Sequence, residues 1–175
     1  MTIKQTTQQT IFTIILTLCG VILFPVNAEA VTYTVTNTND SGGGSLRQAV
    51  LEANSTTADD TIEFAIPSND PNCTASGVCT ITLTNGELAI NSASSAGNLM
   101  ITNLTGASNL LISGNNSTRV FFVDTGANLT IIGITITNGN GTGTIVTTGG
   151  GGIYNRGVLA LMNSIIGSNT VPNGA

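Results

Sequence analysis

The chain has 175 residues, of which only 7% are charged, with a formal net charge of −5 and no histidine. That length leaves room for one domain behind a leader, and without a basic stripe nucleic acid is excluded as an expected partner. The acidic residues concentrate between positions 31 and 80 (Asp40, Glu52, Asp59, Asp60, Glu63, Asp70), and beyond them only Glu87 and Asp124 remain, so the polar surface of the C-terminal half is built from Thr, Asn, Ser and Gly.

Residues 1–30 read as a secretory signal: Lys4 gives a weak positive start, residues 11–24 an apolar run, and Ala28 and Ala30 two small-residue cleavage positions. Thr13, Thr17 and Gly20 interrupt that run, which falls short of the ~20 residues of a bilayer span. The expected mature chain therefore has no transmembrane segment and belongs outside the cell or on its surface.

Residues 31–37 alternate β-branched and polar positions and predict a strand, ended by the Asn39 to Gly44 turn. The period then changes. Leu46, Ala49, Val50 and Ala53 fall at i, i+3, i+4 and i+7, an apolar stripe that predicts a short helix over 45–54. Ser45 at its start and Gln48 three residues on form a capping box, and Asn54 is a stop. So short a helix needs an apolar surface to lie on.

Residues 61–66 predict the next strand, broken by Pro67, and residues 68–78 a loop. Cys73 and Cys79 lie at its end, separated by five residues that include Gly77, so the chain can double back and an oxidising compartment would let them pair. With no histidine or third mature thiol, neither a metal site nor an activated thiol is expected.

From Gly86 onward the chain repeats. Gly86, Gly106 and Gly126 are twenty residues apart, and each leads into an aliphatic pair: Leu88/Ile90, Leu110/Ile112, Leu129/Ile131, with Leu159/Leu161 after Gly157. A fixed period in this range is a solenoid signature, in which each coil buries its apolar face only against its neighbours. The last step is longer by a Gly/Thr tract at 138–152, expected to be a loop extruded from one coil. Inward aliphatic columns with outward Thr and Asn ladders make an all-β, right-handed parallel β-helix the expected fold. The organisation that follows is a signal at 1–30, an N-terminal cap over 31–80 whose helix shields the first coil, and coils over 81–175 that are expected to continue in a longer protein.

The Gly44 to Asn54 segment, the coil motifs at Leu110 to Asn116 and Gly133 to Gly139, and Gly150 to Gly157 resemble the CSLREA-type, pectin-lyase-like β-helix proteins of bacteria, including polymorphic outer-membrane-protein-like chains. Gly44 replaces the cysteine and Gln48 the glutamate of that family's first motif. The resemblance implies an exported or cell-surface β-helix, usually of unassigned activity.

A catalytic reading has little to draw on. Polysaccharide cleavage by such folds needs clustered carboxylates and a nearby basic group, whereas Asp124 is expected as an ion-pair partner of Arg119 or a turn residue and Arg156 as a surface residue. Asp59 and Asp60 are too few to hold Ca²⁺. No catalytic, metal or cofactor residue is therefore assigned. The expected role is structural or adhesive, toward surface glycans or other surface proteins, with the Thr142, Thr144, Thr147 and Thr148 loop as a contact region. The alternative is the N-terminal part of a polysaccharide lyase or hydrolase whose site lies in further coils.

Overall fold

Val35 and Ile62 are fully buried on β1 (Thr32–Val35) and β2 (Asp60–Phe64), two strands that pair in parallel, and every later strand extends a ladder in the same sense. In the computed structural model, which describes residues 29–106 and 108–172, these ladders form a parallel β-helix. The expected leader falls almost wholly on residues 1–28, outside the described residues, as does the extreme C-terminus. Among the described residues no helix is long and apolar enough to cross a membrane.

Parallel neighbours cannot be joined by a hairpin; a helix makes the first crossover, from β1 to β2, and two further strands make each later one. The first sheet stacks β1, β2, β5 (Asn98–Thr102), β8 (Asn128–Ile132) and β11 (Val158–Met162). The second stacks β3 (Cys79–Thr82), β6 (Leu110–Ser113), β9 (Thr135–Thr137) and β12 (Ile165–Ile166). The third stacks β4 (Leu88–Ile90), β7 (Phe121–Val123) and β10 (Ile153–Asn155). One turn of the chain thus visits the first, second and third sheets in order.

The true coil corrects the twenty-residue period. Asn98, Asn128 and Val158 are partners in adjacent strands, thirty residues apart. Gly86, Gly106 and Gly126, all at positive φ, precede β4, β6 and β8, which belong to three different sheets. Their even spacing marks successive corners of the chain rather than one corner seen again. Leu110 consequently stacks on Cys79 in the second sheet, whereas Leu129 and Leu159 stack on Leu99 in the first. All four leucines still face one continuous core, so the solenoid stands although the alignment of its repeats changes.

Several columns fill that core, two of them aliphatic from end to end. Ile62, Ile101, Ile131 and Leu161 stack along the first sheet, and Ile81, Ile112, Ile136 and Ile166 along the second. The period-two alternation of each strand sends these residues inward. A polar ladder runs beside them: the Asn98 amide donates to Asp59 Oδ1 at 2.8 Å and the Asn128 amide to Asn98 Oδ1 at 2.6 Å. Rungs that touch this closely favour neutral bonding partners over like charges, which is why so few residues in the coils are charged.

The helix α1 (Leu46–Ala53) closes the first coil, packing Leu46, Ala49, Val50 and Ala53 toward β1, β2 and β4. The Ser45 hydroxyl accepts the Gln48 N–H at 3.2 Å, but the return arm of the capping box is missing. The Gln48 side chain instead donates to Glu52 at 2.8 Å, one turn on, and the Ser45 N–H is satisfied by the Gly42 carbonyl. Ser45→Ala is expected to lower stability by about 1 kcal/mol, read from the denaturation midpoint, while Gln48→Ala should be close to neutral. A single further turn, α2 (Ala93–Ala96), links β4 to β5. At the opposite end, Val158, Leu161, Met162, Ile165 and Ile166 on β11 and β12 are exposed.

Candidate functional site

Two charged residues of the coils, Glu87 and Arg119, meet at one place. Arg119 precedes β7 and Glu87 precedes β4, so adjacent rungs of the third sheet bring them together, and Arg119 Nη1 meets Glu87 Oε2 at 2.6 Å with both side chains essentially inaccessible to solvent. The expectation of an Arg119–Asp124 ion pair is thereby corrected. Asp124 is a turn residue, its carboxylate accepting the Thr125 N–H at 2.7 Å and its carbonyl the Ala127 N–H. Arg156 is exposed.

The 138–152 segment folds over the pair. Arg119 Nε donates to the carbonyls of Gly149 and Gly150, and Nη2 to those of Gly141, Val146 and Gly149, at distances from 2.6 to 3.2 Å. Glu87 Oε1 accepts the N–H groups of Thr144 and Ile145, each at 3.0 Å. The guanidinium also lies 4.9 Å from the centroid of the Tyr154 ring, which stacks on Phe122. The ring's negative face favours the cation, and the planar fork of Arg suits several carbonyls at once. Gly143 passes so close that a side chain there would overlap both Arg119 Nη1 and Glu87 Oε2. The extruded loop is therefore a docked strap. Thr142, Thr144, Thr147 and Thr148 are exposed on it, while the Thr144 backbone is tied to Glu87.

A second ion pair fastens the cap to the same region. Arg47 on α1 reaches Asp40 Oδ1 at 2.7 Å and donates to the carbonyls of Gly86 and Glu87 at 2.6 and 2.9 Å. Asp40 Oδ2 accepts the N–H groups of Thr84 and Asn85 at 2.8 and 2.7 Å. Polar contacts thus run from the cap through the 84–87 turn to Arg119 and the strap.

The other carboxylates are dispersed. Asp59 faces Asn98, while Asp60 accepts the Val31 N–H at 2.8 Å and the Thr56 hydroxyl at 2.6 Å. Asp70 accepts from the Thr38 hydroxyl and from the N–H groups of Thr38 and Asn72. Among the described residues no three His, Cys, Asp or Glu side chains gather to hold a metal ion. Cys73 and Cys79 are joined as a disulfide, across an isolated antiparallel bridge that ties the 68–78 loop to β3. The outward threonines form no unbroken column: Thr61, Met100, Thr130 and Ala160 follow one another on the first sheet, and Thr80, Leu111, Thr135 and Ile165 on the second.

Hydrogen bonds set the acid response. The Thr38 hydroxyl, above all, holds the Asp70 carboxyl below its ordinary value, with help from the two N–H donors against a smaller effect of burial. For Asp40, burial pushes the carboxyl up, but the Thr84 N–H, the Arg47 guanidinium and the Asn85 N–H together outweigh it and leave the carboxyl lowered. A carboxyl depressed in the folded state contributes stability that is complete above its unfolded value and is lost as pH falls through the folded value. Melting temperature should therefore hold steady through the neutral range and fall below about pH 4. Asp70→Asn should flatten part of that acid limb, checked by thermal melts across the acid range.

No family model matches the chain, and neither a curated protein nor a solved structure does.

Proposed function

We propose that this chain is an exported, cell-surface β-helix segment with a structural or adhesive role, displaying the 138–152 strap as a contact surface for surface glycans or other surface proteins. One observation carries the reading. The Arg119–Glu87 ion pair is sealed, with the donors of Arg119 and the oxygens of Glu87 turned onto the strap's backbone and onto each other. Such a pair cannot exchange a proton with a substrate, because general acid–base work needs the group within hydrogen-bond reach of the reacting atom. It holds a loop in one shape, and a pre-ordered contact loop binds with less entropic loss than a loose one. The Cys73–Cys79 disulfide and the signal-like leader support export, since such bridges persist in oxidising compartments. The resemblance to CSLREA-type surface proteins points the same way.

The test is to incubate the full chain with polyuronates and to measure both product release and retention on glycan- and protein-coated surfaces. No unsaturated product is expected, together with retention that weakens when Thr147 and Thr148 are replaced by Ala. Release of unsaturated product would favour the polysaccharide-lyase alternative.

A further inference from the structure

Three Asn-Gly pairs lie among the described residues, at 85–86, 138–139 and 140–141. An asparagine followed by glycine is the sequence most open to self-attack, because no Cβ shields the following amide nitrogen. Whether the attack happens depends on whether the carboxamide and that nitrogen are free. At 140–141 both are engaged: Asn140 accepts the Thr142 N–H and donates to the Asn116 carbonyl, each at 2.9 Å, and the Gly141 N–H donates to Gly151. At 138–139 the Asn138 amide donates to Ser113 and the Gly139 N–H to Asn169 Oδ1 at 2.8 Å. Asn85 differs. Its side chain is exposed, and neither its carboxamide nor the Gly86 N–H has a hydrogen-bond partner among the described residues.

We propose that Asn85 is a site of spontaneous covalent modification, converting through a succinimide to aspartate and isoaspartate, and that the conversion loosens the seam between the cap and the first coil. The Gly86 nitrogen attacks Asn85 Cγ and gives its proton to solvent. The new C–N bond forms as the Cγ–Nδ2 bond breaks, and ammonia leaves. Water then opens the ring at one carbonyl or the other, leaving a carboxylate either on the side chain or, in isoaspartate, at the main-chain position.

Position gives the reaction its consequence. The Asn85 N–H donates to Asp40, and the Gly86 and Glu87 carbonyls accept from Arg47. A new carboxylate at residue 85 repels Asp40. The isoaspartate also lengthens the backbone by one carbon within the turn that Asp40 and Arg47 grip. Gly86, at φ +82°, is the corner whose carbonyl Arg47 holds at 2.6 Å.

The test ages the full chain in mildly alkaline buffer at body temperature and follows each asparagine by peptide mapping, with a fragmentation method that separates isoaspartate from aspartate. Asn85 should convert at least about ten-fold faster than Asn138 or Asn140, and Asn85→Gln should remove the acidic species whose modified peptide contains residues 85–86. The isoaspartate fraction should melt below both the fresh protein and Asn85→Asp, which carries the charge without the extra backbone atom. Equal or faster conversion of Asn138 or Asn140 would overturn the assignment. An isoaspartate fraction that melts like fresh protein would overturn the coupling to the cap.

Discussion

Replacing Arg119 by Met is expected to destabilise the protein by about 3–5 kcal/mol, read as a lowered chemical-denaturation midpoint and as early protease cleavage within residues 138–152. Removing the guanidinium leaves the buried Glu87 carboxyl without an ion-pair partner among the described residues, and it strips donors from the carbonyls of Gly141, Val146, Gly149 and Gly150. Buried acceptors left without partners each carry a desolvation penalty. Arg119→Lys should recover little, because an ammonium cannot reproduce a fork that bonds Glu87 and several carbonyls together. Glu87→Gln should be milder, since one amide oxygen still accepts from Thr144 and Ile145. The double variant Arg119→Met/Glu87→Gln should cost less than the sum of the two, as expected for directly coupled partners. Additivity within error would mean that the pair does not hold the strap. Gly143→Ala offers an independent route to the same end, because its Cβ would wedge between the charges without removing either.

The cap could be read from the sequence because its signals are local. The stripe of Leu46, Ala49, Val50 and Ala53 needs only the helical period, and Ser45 needs only its distance to the Gln48 N–H. The coil length could not be read from glycines, because Gly86, Gly106 and Gly126, all at positive φ, stand at three different kinds of corner in a three-sided coil. Aligning Asn98-Leu99 with Asn128-Leu129 would have found the thirty-residue step, since those asparagines bond each other across rungs. The clasp was hidden for a related reason. Glu87 and Arg119 lie thirty-two residues apart in sequence, a separation that means contact only once the coil length is known. The strap's glycine content, which reads as looseness, instead reflects carbonyls brought close around one guanidinium and a position at Gly143 with no room for a side chain.

Ile131→Ala should destabilise by about 2–5 kcal/mol, whereas Leu161→Ala, one rung further in the same column, should cost under about 1 kcal/mol. Both replace an aliphatic residue in the stack that starts at Ile62 and passes through Ile101, yet Ile131 is fully buried and Leu161 is 40% exposed. In a solenoid the stability of a rung comes from the interfaces on its two sides. Truncating Ile131 opens a cavity between Ile101 and Leu161 that the flanking rungs cannot collapse, because their backbones are fixed by continuous ladders. Truncating Leu161 removes contact on one side and exposes little that water does not already reach. Paired denaturation measurements on the two variants read this difference directly. If Leu161→Ala proved as damaging as Ile131→Ala, the last rung would have to be covered by something that packs against Val158, Met162, Ile165 and Ile166 as tightly as one rung packs on the next.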